Sequence, residues 1–252
     1  METTVTRFTV SPNVCSATSD DGTTILDIEQ GKLYSATGVG SVIWSKLMAA
    51  PAGMPMNAII TELQKDFDNV PLQQIERDAE CFVTQLKKKG VIQASDRKSE
   101  SHVNNRGSRI VKSSVSLISL AVNFLLKLKL NVPAAYLLLI ASDLMLKLGS
   151  FRSLHYAIKS WPLASEFNSL SKIAPATCTA IENACTYYPK QAVCLQRSVV
   201  ATCMLRYYGV PAQLVIGVRK MPFYSHAWVE VEGVVVNDHE QVQTYFSVLS
   251  RS

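Results

Sequence analysis

The C-terminal third of the chain contains one apolar helix pattern followed at once by three strand patterns, an order that limits the folds available to it. CLQRSVVATCMLRYYG has apolar residues at helical spacing and ends at Gly209, which suits a helix C-terminus. AQLVIGV, HAWVEVEG and VVVND then have the composition of successive strands, with a turn at Glu232-Gly233. We therefore predict a buried helix packed on an antiparallel sheet.

Three reactive side chains stand at the ends of these elements. Cys194 begins the helix, where free backbone N–H groups and the positive end of the dipole favour a thiolate. His226 begins one strand and Asp238 ends the next, so strand pairing about the turn would set Asp238 opposite His226. The pattern predicts a catalytic Cys194, with His226 accepting its proton and Asp238 orienting the imidazole.

Alternative roles for the same residue types stay open at this point. A zinc site would have to use Cys194, Cys203, His226 and His239, whose spacing matches no common zinc pattern, so no metal is expected. Four of the other cysteines are expected to be packing residues: Cys81, Cys178, Cys185 and Cys203. Trp228 is expected in the core beside the site, with a place in a substrate groove as the alternative.

The N-terminal part of the chain has a shorter pattern of its own. TTILDI and KLYSA alternate on either side of Gly31, which predicts a hairpin, and three segments of helical periodicity follow up to Gly90. This order describes a small winged-helix-like domain. SDRKSESHVNNRGSR is polar and without apolar periodicity, which indicates a linker. We predict an α+β chain with domains at 1–95 and 111–252, joined by a linker at 96–110.

Charge and hydropathy limit the partners. Residues 1–95 contain 8 Lys and Arg against 11 Asp and Glu, and the rest contains 17 against 9, which does not favour nucleic acid as a ligand. Two apolar segments, SSVSLISLAVNFLL and VPAAYLLLIASDLMLKLG, are bounded or interrupted by charges before the roughly 20 apolar residues of a bilayer span. Buried helices are expected, with a membrane-surface helix as the alternative.

The cellular compartment follows from two further features of the sequence. The N-terminal stretch METTVTRFTVSPNVCS lacks the apolar region of a secretory signal. The six cysteines show no paired spacing, which favours reduced thiols over a disulfide framework. We therefore expect a cytoplasmic protein.

The motifs of the second half closely resemble the lasso peptide leader peptidase family, the transglutaminase-like B proteins. The matching residues are Cys194-Leu195, Ser198, Gly217-Val218, His226-Ala227-Trp228-Val229-Glu230 and Asp238. The first half is similar to the PqqD-like RiPP recognition elements at Ile25-Leu26, Gly31-Lys32, Leu33-Tyr34 and Gly40 to Trp44, but has Ala36-Thr37 where Leu-Asn is usual. Together they resemble a fused B protein.

The resemblance implies a PqqD-type domain, then a helical segment leading into a transglutaminase- or papain-like cysteine protease domain with an antiparallel sheet. The first domain would bind the leader of a precursor peptide as an added strand. Its candidate contact residues, some of which could equally be core, are Lys32, Leu33, Tyr34, Ile75, Asp78, Ala79 and Phe82.

The second domain would hydrolyse the bond between leader and core peptide without a cofactor. The Cys194 backbone N–H would hold the oxyanion, and proximity suggests Gln191 as a second donor. The family also implies an ATP-dependent macrolactam synthetase as partner, although this chain has no Walker-type phosphate loop of its own. An acyl or amine transferase on the same fold, and a non-catalytic carrier of the precursor, stay open as alternatives.

Overall fold

The computed structural model describes residues 6–95, 106–129, 131–148, 151–165, 169–219 and 222–252. Helices and antiparallel strands occur largely in separate groups along the chain, so the predicted α+β class is confirmed. The described residues divide into two compact units.

The first unit contains two small antiparallel sheets and three helices. Its strands are β1 (Arg7–Val10), β2 (Val14–Ser19), β3 (Gly22–Asp27), β4 (Lys32–Ala36), β5 (Met54–Pro55) and β6 (Ile92–Ser95). Its helices are α1 (Val39–Ala49), α2 (Met56–Asp66) and α3 (Leu72–Lys88). One sheet has the order β2-β3-β4 and the other β5-β1-β6.

The predicted hairpin is β3 and β4, paired with Ile25 opposite Tyr34. Gly31 makes the turn possible because its φ of +64° lies in the left-handed region. The three predicted helices then pack around Trp44, which is 1% exposed. Burial of a side chain of this kind contributes about 1.5–3 kcal/mol.

The β5-β1-β6 sheet was absent from the sequence prediction. Its strands are short, and β1 pairs with β6 from the far end of the unit, with Val10 opposite Ile92. Such pairing depends on the tertiary fold because no local turn brings the two strands together. The sheet closes the unit by joining its first and last described segments.

The second unit begins with a series of helices. These are α4 (Arg106–Lys127), α5 (Asn131–Leu148), α6 (Phe151–Lys159), α7 (Leu170–Tyr187) and α8 (Cys194–Tyr207). α4 occupies 106–110, which had been predicted as linker, because the helix defined by the apolar residues further on extends back to Arg106. The rest of that predicted linker, 96–105, lies outside the described residues.

A four-stranded antiparallel sheet follows, with the order β10-β7-β8-β9. Its elements are β7 (Ala212–Arg219), β8 (Tyr224–Val231), β9 (Val234–Val235), the short α9 (Val242–Tyr245) and β10 (Ser247–Arg251). α8 lies in the main core against one face of this sheet, where Val200 and Val229 are fully buried. Gly209, with φ +76°, ends α8 as predicted.

Candidate active site

Cys194 is the first residue of α8 and is partly buried. Gln196, itself 6% exposed, accepts the Val193 N–H at 3.2 Å through Oε1. Its Nε2 lies 3.5 Å from Oδ1 of Asp143 on α5. Gln196 therefore faces the protein and not solvent, and it links the start of α8 to a neighbouring helix. The unpaired N–H groups of the first turn and the helix dipole favour negative charge at this end.

Asp143 is held in turn by two lysines. Lys190 donates to Asp143 Oδ2 at 2.7 Å, and Lys147 lies 3.4 Å from the same oxygen. The hydrogen bond from Lys190 is the main reason that the pKa of the Asp143 carboxyl is lowered. The chain is thus tied to α5 on both sides of Cys194, through Lys190 before it and Gln196 after it.

His226 and Asp238 make direct contact. Their Nε2 and Oδ2 atoms are 2.6 Å apart, and the two side chains are 18% and 24% exposed. In the neutral tautomer whose Nε2–H donates to the carboxylate, Nδ1 is the nitrogen that carries the free lone pair. Nδ1 of His226 is buried and has no hydrogen-bond partner among the described residues. The imidazole therefore has a basic nitrogen that no described protein group uses.

The strand pairing that the spacing predicts is not what brings Asp238 to His226. The Glu232-Gly233 turn is present, with positive φ at both residues, but Glu230 pairs with Val235 and Val231 with Val234. Continued pairing in this register would bring residue 239, and not 238, opposite His226. β9 ends at Val235. In the next pair the Val236 N–H still donates to the Val229 carbonyl at 3.0 Å, but a side chain and not the Val236 carbonyl accepts the Val229 N–H, so Asp238 approaches His226 from beyond the sheet.

That side chain is Asn237, whose role the sequence reasoning missed. Its Oδ1 accepts the Val229 N–H at 2.7 Å, and its Nδ2 donates to Ser198 Oγ at 3.0 Å. The Ser198 hydroxyl donates to the Ala227 carbonyl at 2.9 Å. Ser198 stands one turn after Cys194, so this network joins α8, β8 and the segment that carries Asp238. Asn directly before the acidic residue was the available sequence signal.

Trp228 lies in the core beside the site, as expected. It is 0% exposed, and its ring is stacked on His226 with centroids 6.2 Å apart. Gly217, the register partner of His226, leaves space for the indole: a Cβ there would lie 2.7 Å from Trp228. Residues of the Gly-Val and His-Ala-Trp motifs therefore pack against one another beneath the imidazole.

Glu230 holds the indole of Trp228 in place through a hydrogen bond. Its side chain is 3% exposed and accepts hydrogen bonds from Trp228 Nε1 at 2.8 Å, Gln243 at 2.9 Å and Arg251 at 3.1 Å. Burial raises the pKa of the Glu230 carboxyl, but these three donors outweigh it, so the pKa is lower than usual. Glu230, the last residue of the His-Ala-Trp-Val-Glu motif, thus connects Trp228 beneath the site to β10.

Cys194, His226 and Asp238 line one cavity of about 540 Å³. Its wall also includes Cys178, Arg197, Ser198, Ala227, Asn237 and His239. Gln191 is exposed and is not among the lining residues, so the geometry gives no support to it as the second oxyanion donor.

The remaining cysteines differ in their surroundings. Cys203 is a core residue as predicted, and burial raises the pKa of its thiol to about 12. Cys178 is partly buried, and burial raises its pKa as well. Cys81 is exposed, which makes the prediction of a packing role wrong: α3 is amphipathic, and Cys81 falls on its solvent side. No group of metal-binding side chains occurs within the described residues.

The predicted leader-binding residues fall into two groups. Ile75 and Ala79 are 4% and 0% exposed and belong to the core of the first unit, so they are not surface contacts in this structure. They point inward because they lie on the apolar face of α3. The other five have exposed or partly exposed side chains: Lys32, Leu33, Tyr34, Asp78 and Phe82.

Lys32, Leu33 and Tyr34 lie on a strand with a free edge. β4 pairs only with β3 within the described residues, so its other edge carries unpaired backbone groups. Lys89 lies over the Tyr34 ring at 4.7 Å, and Phe82 packs so closely on Gly40 that a Cβ there would be 2.9 Å away. Tyr34 and Phe82 are thus supported by neighbours.

Comparison with known families agrees with both halves of this description. Residues 22–92 match the family described as Coenzyme PQQ synthesis protein D (PqqD), and residues 138–251 match the transglutaminase-like superfamily. The chain thus contains an N-terminal PqqD-like domain and a C-terminal transglutaminase-like domain. This pair of domains confirms the resemblance to the fused lasso peptide B proteins.

Two individual proteins show similarity to parts of the chain. The microcin J25-processing protein McjB of Escherichia coli is 46% identical over 57 residues, which are 23% of this chain and 27% of that protein. The structure of TbiB1 in complex with the TbiA(beta) leader peptide aligns with 36% of this chain and 99% of its own, at 25% identity and a TM-score of 0.31. The match to McjB thus spans about a quarter of that protein's length.

No helix among the described residues is long and apolar enough to cross a membrane.

Proposed function

We propose that this protein is the leader peptidase of a lasso peptide pathway, which binds a precursor through its PqqD domain and hydrolyses the leader–core bond. The observation that carries the proposal is the shared cavity of Cys194, His226 and Asp238, in which His226 Nε2 contacts Asp238. In the part of the chain that the structure describes, Nδ1 has no hydrogen-bond partner. A cysteine peptidase requires such a basic nitrogen beside its nucleophile.

In the proposed reaction Cys194 Sγ attacks the scissile carbonyl carbon while its proton passes to His226 Nδ1. The backbone N–H of Cys194 stabilises the oxyanion at the helix N-terminus. As the C–N bond breaks, His226 returns the proton to the departing amine, and a thioester to Cys194 is left. Water then adds to the thioester and gives its proton to His226, which releases the leader as a carboxylate and restores the thiol. Asp238 stabilises the imidazolium in both steps.

Leader recognition is assigned to the free edge of β4 and the adjoining side chains. A peptide strand added there would satisfy the exposed backbone groups, and pockets at Leu33, Tyr34 and Phe82 would select side chains. Leu33 is 36% exposed and offers an apolar contact on this strand. The similarity to McjB, named as a processing protein, supports the proposed pathway. A macrolactam synthetase as partner and a cytoplasmic location belong to the same proposal.

Intact-mass analysis of a precursor peptide incubated with the full-length protein tests the function. Hydrolysis would give a leader fragment and a core peptide whose masses sum to the precursor plus one water. Cys194→Ala is expected to abolish cleavage and keep precursor binding, while Cys81→Ala, the exposed cysteine of the other unit, serves as the matched control. Cleavage by folded Cys194→Ala would refute the peptidase, and addition of an amine's mass would identify a transferase. Binding without turnover by the wild type would identify a carrier.

A further inference from the structure

Helix α4 has an exposed apolar face that the proposed peptidase does not use. The α4 stripe, defined as Leu117, Leu120, Phe124 and Leu128, has residue exposures of 67%, 62%, 63% and 52%. Spacings of three and four residues place these side chains along one side of the helix and of the turn that ends it, over roughly 16 Å. Four large apolar side chains in line are more than scattered surface residues, and they indicate an interaction surface.

The opposite side of α4 is already occupied. Val122 and Leu126 are 0% and 3% exposed and form part of the main core of the second unit. The helix is therefore anchored by one apolar face while it presents another to solvent. A surface helix that serves only the core has a polar outer face, so the stripe needs a partner outside the unit.

Charge identifies the kind of partner. No Asp or Glu occurs from 101 to 142, whereas this segment contains five cations, Arg106, Arg109, Lys112, Lys127 and Lys129. Of these, Lys127 and Lys129 are exposed on either side of Leu128. An apolar stripe bordered by lysines is typical of helices that lie in the interface of an anionic bilayer, where the ammonium groups reach the headgroups.

We propose that the α4 stripe lies in the plane of an anionic lipid surface. A second copy of this chain is a poorer occupant, because its own segment 101–142 has no carboxylate that could pair with Lys127 and Lys129. A protein interface is also less suited, since lysine is depleted at such interfaces. The contact is independent of the proposed peptidase and requires no helix that spans the membrane.

Flotation of the full-length protein with lipid vesicles tests this surface. Wild type is expected to float with vesicles of equal parts phosphatidylcholine and phosphatidylglycerol, and not with phosphatidylcholine alone. Leu120→Ser with Phe124→Ser should lower the bound fraction at least about tenfold, since apolar burial is lost. Lys127→Gln with Lys129→Gln should lower the affinity for vesicles about thirtyfold, and added salt should weaken binding of the wild type.

A control pair, Leu72→Ser with Val234→Ser, removes exposed apolar side chains elsewhere and should bind as wild type. Circular dichroism melting establishes that each variant is folded. The proposal is overturned if wild type does not float with anionic vesicles, if it floats equally with neutral ones, or if the control pair loses as much binding as the stripe pair. If sedimentation shows that the wild type is a dimer and that the Leu120→Ser, Phe124→Ser variant is a monomer, the stripe is a contact between two copies of the chain instead.

Discussion

Asn237 donates a 3.0 Å hydrogen bond from its side-chain amide to the hydroxyl of Ser198. The bond connects the segment before Asp238 to the helix that begins at Cys194. Through its Oδ1 atom, the same amide also accepts the Val229 N–H of the strand that carries His226. One side chain thus touches all three elements that present the proposed catalytic residues.

Replacement of Asn237 by Ala should therefore misplace Asp238 and His226 relative to Cys194. We expect kcat to fall by about tenfold to a hundredfold with little change in KM, because small displacements of reacting groups are costly. The loss of partners for Val229 N–H and Ser198 should also cost about 1–3 kcal/mol of stability. Precursor cleavage kinetics and thermal melting measure the two effects.

Asn69→Ala is the control for this variant, because Asn69 is an exposed asparagine of the first unit. Ser198→Ala removes the other end of the bond and should reproduce the kcat loss in a milder form. Unchanged kcat in folded Asn237→Ala would show that the network is structural only.

Asp238→Asn tests the orientation of the imidazole. The amide preserves the size of the side chain but removes the charge that stabilises the His226 imidazolium, so kcat should fall by about a hundredfold or more. Precursor binding should stay as in wild type, since Asp238 lies in the other unit from β4. Asp68→Asn, a change in an exposed loop, provides the comparison. Equal turnover by Asp238→Asn and wild type would remove Asp238 from the mechanism.

Gly217→Ala tests the packing beneath His226. The new Cβ would lie 2.7 Å from Trp228 and 2.9 Å from Phe246, so the indole has to move together with the stacked imidazole. Overpacking of this kind costs about 1–3 kcal/mol, and cleavage should weaken in parallel. Ser225→Ala, at an exposed position of the paired strand β8, should leave both the melting temperature and the rate unchanged. Melting of Gly217→Ala at the wild-type temperature would contradict the packing described.

The lowered pKa of the Glu230 carboxyl predicts that the stability of the protein depends on pH. Its folded-state pKa lies below the ordinary 4.5, so its contribution is fully present above that value and disappears as the pH falls through the folded-state pKa. Glu230→Gln should therefore be less stable than wild type at neutral pH, and the difference should narrow at acidic pH. Denaturant unfolding across that range measures it, with Glu240→Gln, an exposed glutamate, as control. A difference that stays constant with pH would show that the carboxylate charge is not responsible.

Local sequence patterns were sufficient for most of the secondary structure. The β3–β4 hairpin, the helices of both units, the Gly209 helix end and the Glu232-Gly233 turn all follow from periodicity and turn chemistry, which act between near neighbours. The motifs also selected Cys194, His226 and Asp238, which line one cavity.

Tertiary structure decided what depends on contacts between distant residues. It paired β1 with β6, which no local turn brings together. It also ended β9 early, so that Asp238 reaches His226 through the Asn237 network and not through the ladder predicted from spacing. Side-chain hydrogen bonds and packing between separate elements leave no periodic signal in the sequence, and for that reason only the folded chain shows them.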